Sequence, residues 1–244
     1  RKRIIQKTLF NKCSITSLCY IFFFFLVEKN KSMSFYWIKT NAIIKRYFSN
    51  YIWDIPNKEN RIYLTFDDGP TPGVTEWVLE LLKKENIKAT FFCIGKNIEA
   101  QPNIFNSLVQ EGHIIGNHTM NHLNGWKNLD ENYLENTKQC ETIIKKHQDK
   151  KPCLFRPPYG RIKRKQAIQL KKLGYKIIMW DVLNANFNTQ ITPKKKKKNV
   201  ISSVKSGSII VFHDSLKASK NLKYTLPKAI QHLKQNGFIF ETIS

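Results

Sequence analysis

From residue 61 onward, short β-rich apolar runs alternate with stretches of helical spacing. The strand-like runs are 61–66 (RIYLTF), 88–94 (KATFFCI), 113–117 (HIIGN), 153–156 (CLFR), 176–182 (KIIMWDV), 208–213 (SIIVFH) and 238–243 (FIFETI). Helical patterns fall near 75–85, 102–111, 131–147, 163–173, 194–205 and 224–236. Gly112, Gly174 and Gly237 each follow such a pattern, where a left-handed residue ends a helix. Strands separated by helices of about 10–15 residues are parallel strands with crossover helices. Seven such units predict an α/β fold, a distorted (β/α) barrel with about seven parallel strands. An open doubly wound sheet is the alternative.

Bulk composition narrows the partners. The 244 residues are 41% hydrophobic with 16 Phe, which excludes a disordered chain. A net charge of +23 raises nucleic acid, lipid surfaces and acidic glycans as partners. The cations are mostly lysines scattered among Asn and Ile, and no nucleic-acid motif accompanies the run Lys194–Lys198. That pattern is a compositional bias, so no nucleic-acid partner is expected. The five cysteines, Cys13, Cys19, Cys93, Cys140 and Cys153, have no metal-ligand spacing and are expected to be free thiols.

Residues 15–27 (ITSLCYIFFFFLV) follow a basic stretch. The run is short for a membrane span and suits a signal-peptide core, but no small-x-small cleavage site follows. The other reading, slightly favoured, starts the protein at Met33. Export or membrane association follows from the first reading and a cytoplasmic location from the second. The domain plan is therefore a signal-like or upstream segment 1–32, an aromatic, basic lead-in 33–60 and a catalytic domain 61–244. The lead-in carries Tyr36, Trp37, Tyr47, Phe48, Tyr51 and Trp53. It is expected to pack across the barrel bottom, with membrane-surface association through the N-terminal segment as the alternative.

In a parallel barrel, chemistry collects at the carboxyl ends of the strands. "YLTFDDGP" ends the first strand in Asp67 and Asp68. Two adjacent like charges are costly to bury without a cation. "GNHTMNH" supplies His118 and His122, four residues apart, which one helical turn would bring to the same side. Two imidazoles and a carboxylate suit a borderline divalent metal with positions left open. One acid can then bind the cation while the other stays free as a base, with Gly69 and Pro70 turning the chain. His spacing of this kind is weak evidence alone and strong beside the paired acids.

The ordered stretches "TFDDGP", "HTMNH", "RPPYG", "MWDVLNANF" and "IIVFHDS" resemble the five motifs of the polysaccharide deacetylases, carbohydrate esterase family 4, also known as the NodB homology domain. The resemblance spans about 61–243. It implies metal-dependent removal of N-acetyl groups from N-acetylglucosamine-containing glycans such as peptidoglycan or chitin oligomers. It implies one divalent ion, zinc first, held by Asp68, His118 and His122. Asp67 becomes the general base, Arg156 its partner and His213 the general acid. The backbone N–H of Tyr159 stabilises the oxyanion. Pro157, Pro158, Tyr159 and Trp180 shape the groove, and Val211 lines the acetyl-methyl pocket. The protein is expected to be a monomer acting on an acetylated glycan. An O-acetyl esterase, or a carbohydrate-binding protein with weakened catalysis, are the alternatives.

One motif departs from the family. Where the fourth commonly carries Asp-Trp, this chain has Asn186 and Phe187. An amide cannot stabilise imidazolium as a carboxylate does. His213 is therefore expected to be a weaker acid catalyst unless Asp181 or Asp214 compensates. His113 is expected to be structural, Trp126 to pack beside the metal loop, and Asp214 to cap the segment after it.

Overall fold

β1 (Arg61–Asp67) runs through the middle of an eight-stranded parallel sheet. The computed structural model describes residues 38–184 and 200–243. The remaining strands are β2 (Thr90–Cys93), β3 (Ile114–Asn117), β4 (Leu154–Phe155), β5 (Lys176–Ile177), β6 (Val182–Leu183), β7 (Ile209–His213) and β8 (Ile239–Glu241). Their order is β5-β4-β3-β2-β1-β7-β6. β8 pairs with Arg61–Tyr63 and β2 with Thr65–Asp67, so the two share one edge of β1, while β7 follows the other. This is the distorted, curled (β/α) barrel that the alternation predicts.

Period-two alternation sorts β1 into two faces. Ile62, Leu64 and Phe66 join a core with Val78 and Leu82 of α2 (Thr75–Lys84) and Leu226 of α7 (Ser219–Gln235). Tyr63 faces the inner side, with Phe92, Leu154, Ile178 and Ile209. Each fully buried large apolar side chain contributes roughly 1.5–3 kcal/mol. A slip of one residue would expose all three outer ones, so their burial fixes the register and with it the direction of Thr65 and Asp67. The outer layer continues in α4 (Pro102–Gln110), α5 (Asp130–Lys145) and α6 (Arg164–Lys172), with short helices α1 (Ala42–Tyr47) and α3 (Gly95–Ala100).

The run 176–182 is not one strand. It splits into β5 and the start of β6, which lie at opposite ends of the sheet order. The described part of the lead-in lies between them: Ile52 bridges Ile178, Lys39 bridges Val182 and Asp54 bridges Ser208. Asp181 anchors this closure. Its fully buried carboxylate pairs with Lys39 and Lys45 and accepts the Ser208 hydroxyl at 2.6 Å. Burial alone would raise this carboxyl, but those partners hold it below the ordinary carboxylate range. α3 was not foreseen, and α7 begins five residues before the expected 224. Of the expected helix 194–205, residues 200–203 are helical and 194–199 lie outside the described residues. Met33 and the apolar run 15–27 lie outside them as well. Among the described residues, no helix is long and apolar enough to cross a membrane, and Cys93, Cys140 and Cys153 are free thiols.

Candidate active site

Asp67 ends β1 with its side chain on the inner face, where Arg156 meets it. The Arg156 guanidinium is fully buried. Nη1 donates to Asp67 Oδ1 and to Thr65 Oγ1, both at 2.7 Å. Nε and Nη2 donate to the carbonyls of Ile178 (3.3 Å) and Met179 (2.9 Å). The guanidinium carbon lies 4.1 Å from the Phe92 ring centroid. A buried cation is tolerated only when paired and hydrogen-bonded, and here both conditions hold. The pair fixes the Asp67 carboxylate against the barrel interior.

The chain leaves the strand through Asp68, whose φ of 84° is left-handed. Asp214 at the end of β7 holds the turn. Its carboxylate accepts the Gly69 N–H at 3.0 Å and the Thr75 hydroxyl at 2.5 Å, and that hydroxyl accepts the Thr71 N–H at 2.7 Å. The Asp214 N–H donates to the Asp67 carbonyl at 3.1 Å. Burial pushes the Asp214 carboxyl up to about 7, against the lowering effect of the Thr75 hydrogen bond. Asp214 therefore organises the acidic turn and does not cap the segment after it.

Asp68 faces the two histidines. Its Oδ1 lies 3.4 Å from His122 Nε2 and 3.9 Å from His118 Nε2. One ligand atom from each of the three residues falls within 4.8 Å of the others. His118 Nδ1 donates to the Arg156 carbonyl at 2.7 Å, which leaves the Nε2 lone pair toward Asp68. Burial, aided by His122, holds the His118 ring down to about 3, and burial lowers His122 too. Both imidazoles are thus neutral at neutral pH, the form that binds a metal. Asp68 Oδ1 is buried and has no hydrogen-bond partner. An orphaned carboxylate oxygen facing two neutral imidazole nitrogens fits one divalent cation.

The histidines do not converge through a helical turn. They converge through a loop in which Thr119 (φ 66°) and His122 (φ 55°) are left-handed, and their ring centroids lie 5.1 Å apart. The first N–H groups of α3 hold that loop, Gly95 donating to the Thr119 carbonyl and Lys96 to that of Met120, both at 3.0 Å. Tyr159 (φ 61°) sets its ring edge-on to His122 at 4.4 Å between centroids. Among the described residues, the Tyr159 N–H donates to no protein acceptor. Four of the six left-handed non-glycine residues described, Asp68, Thr119, His122 and Tyr159, therefore lie at this one site. Strain of that kind collects where function demands a fixed geometry.

The other predicted residues surround this centre. Pro157 and Pro158 are buried at the turn that presents Tyr159, and Trp180 packs against Gly160 behind it. Val211 is buried on β7 opposite Thr65, and the half-buried His213 is the register partner of Asp67. Asn186 and Phe187 lie outside the described residues. Asp181 sits before β6, level with Ile209 at the start of β7, whereas His213 ends β7, and Asp214 is committed to Gly69 and Thr75. Neither is placed to compensate for Asn186. Sequence reasoning missed Thr65 and Asn97, whose Nδ2 donates to the Asp68 carbonyl at 2.6 Å. Thr65 left a signal, as a polar residue two before Asp67 in an apolar strand. Asn97 left none.

Known proteins share this arrangement of sequence. Residues 54–178 match a family described as polysaccharide deacetylase. Over 199 residues the chain is 35% identical to a peptidoglycan-N-acetylglucosamine deacetylase of Bacillus cereus, covering 79% of this chain and 90% of that protein. It is 32% identical over 206 residues to the peptidoglycan-N-acetylmuramic acid deacetylase PdaA of Bacillus subtilis, covering 83% and 76%. The crystal structure of the Bc1960 peptidoglycan N-acetylglucosamine deacetylase superposes with a TM-score of 0.77 at 31% identity, over 84% of this chain and 95% of that one.

Proposed function

The chain belongs to the polysaccharide deacetylase family, and on that basis we propose that it is a metal-dependent hydrolase removing N-acetyl groups from peptidoglycan-type glycans. The observation that carries this reading is the orphaned Asp68 Oδ1 facing His118 and His122, one residue from the Asp67–Arg156 pair. The names of the bacterial relatives support the substrate class.

In this reading Asp68, His118 and His122 hold the ion, zinc being the metal that two imidazoles and a carboxylate suit. A divalent ion there would supply Lewis-acid polarisation of the acetyl carbonyl and activation of water. Asp67 takes the proton of the attacking water, and Arg156 holds its carboxylate in place while balancing its charge. The Tyr159 N–H meets the oxyanion, an interaction worth about 3 kcal/mol in the transition state. His213 delivers a proton to the departing nitrogen, without which the amide re-forms. Val211 closes against the acetyl methyl, while Pro157, Pro158 and Trp180 keep the Tyr159 turn rigid.

Acetate release from peptidoglycan and from N-acetylglucosamine oligomers tests the reading. Chelator-treated protein should be inactive and recover on addition of zinc. Activity that survives chelation rejects the metal. Acetate released from O-acetylated xylan but from no N-acetylated glycan transfers the site to the esterase alternative.

A further inference from the structure

His122 and Tyr159 touch, and further along the same two loops Trp126 and Arg161 touch in turn. The Arg161 guanidinium carbon lies 5.3 Å from the centroid of the Trp126 ring. The indole is 40% exposed, yet it is fixed. Its Nε1–H donates to the Ile162 carbonyl at 3.1 Å, and its backbone N–H donates to Asn124 Oδ1 at 3.0 Å. Gly125 donates to the Arg161 carbonyl at 3.2 Å and accepts from Gln166 Nε2 at 2.9 Å. A Cβ on Gly125 would come 2.6 Å from the Arg161 carbonyl oxygen, so the loops could not close over a larger residue.

The neighbouring cation has partners of its own. Lys163 donates to the Asn128 carbonyl at 2.6 Å and lies 3.6 Å from Asp130. Arg161 is only half-exposed, but among the described residues its guanidinium has no carboxylate or other acceptor. The many lysines of this chain are flexible point charges. Arg161 is a planar fork held against a ring, which suits a planar anion. We infer that Arg161, oriented by Trp126, binds a carboxylate on the glycan and so favours acidic acetylated strands over neutral ones. The inference rests on the deacetylase reading and deepens it. Peptidoglycan offers two sources of that carboxylate, the lactyl ether of its muramic acid residues and its stem peptides.

The test compares wild type, Arg161→Gln, Arg161→Lys and Trp126→Phe on three substrates: neutral N-acetylglucosamine oligomers, peptide-free glycan strands and peptide-bearing strands. Arg161→Gln should raise KM about ten-fold on strands bearing the relevant carboxylate, the scale of a lost charged hydrogen bond. It should leave kcat, and the KM for neutral oligomers, unchanged. Lysine at 161 and phenylalanine at 126 should fall between. An effect on peptide-free strands assigns the lactyl group, and one confined to peptide-bearing strands assigns the stem peptide. Equal changes on neutral oligomers, or none on any substrate, overturn the inference. Equilibrium binding of the same strands to chelator-treated protein separates the two readings. Binding that depends on Arg161 with no acetate ever released sinks the deacetylase reading alone. Acetate release with binding indifferent to Arg161 sinks this inference alone.

Discussion

The Asp214 carboxylate occupies the space that a side chain on residue 69 would need, and it accepts the Gly69 N–H at 3.0 Å. These residues are 145 positions apart, and their contact ties the end of β7 to the acidic turn after β1. Gly69→Ala should therefore displace Asp214 and disturb both acids. We expect a stability loss of about 1–3 kcal/mol, the usual cost of overpacking, together with weakened metal binding. Urea melts and a metal titration check this. A variant that melts and binds metal like wild type would show that the turn tolerates what the geometry forbids.

Arg156 satisfies Thr65, Asp67, Ile178 and Met179 with one planar group. Arg156→Met leaves the Asp67 carboxylate buried without its cation, at a cost of about 3–5 kcal/mol. Arg156→Lys restores the charge but not the fork, so it should recover stability more than activity. If Arg156→Met costs less than about 1 kcal/mol, the range of exposed ion pairs, the pair is not the anchor described here.

Wild type should bind one divalent ion per chain. Asp68→Asn keeps the shape but removes the carboxylate's charge, and should weaken that binding beyond the roughly 10–100-fold typical of outer-shell changes. Equilibrium dialysis with zinc reads this directly. Unchanged affinity would remove Asp68 from the ligand set.

His113 predicts a pH dependence separate from the active site. Burial, with Lys88 adding, holds its ring down to about 4, and its Nδ1 accepts the Ala89 N–H at 3.2 Å. In the unfolded chain the ring titrates near 6.5. Between about 6.5 and 4 the unfolded chain binds a proton that the folded protein does not. This contribution is complete above pH 6.5 and is lost as pH falls through that window. His113→Gln keeps an acceptor and does not titrate. Its denaturation midpoint should fall less than that of wild type between pH 7 and pH 4.5 (both roughly spanning the window). Parallel pH slopes for the two proteins would contradict this.

What could be read from the residues was local. Ile62, Leu64 and Phe66 announce a buried strand by alternation, and Asp67-Asp68 at its end is a pair of like charges that is costly to bury unpaired. "KIIMWDV" reads as one strand because nothing within it marks a break. The break arises from distant partners, Met179 N–H donating to Ile52 and Asp181 N–H to Ile209. The left-handed turns at Thr119 and His122 hid behind a spacing that also fits a helix. Asp214, beside His213, offered catalysis or capping as roles, and its contact with Gly69 exists only once β1 and β7 pair. The Arg161–Trp126 stack needs two loops to meet and has no signature in either.

The most direct test of the account is acetate release by Asp67→Asn against wild type, both loaded with zinc and assayed on peptidoglycan strands. The variant should still bind one ion per chain and release acetate about 10²–10⁴-fold more slowly, the range for loss of a general base. Acetate release near the wild-type rate would show that Asp67 is not the base and that the chemistry lies elsewhere.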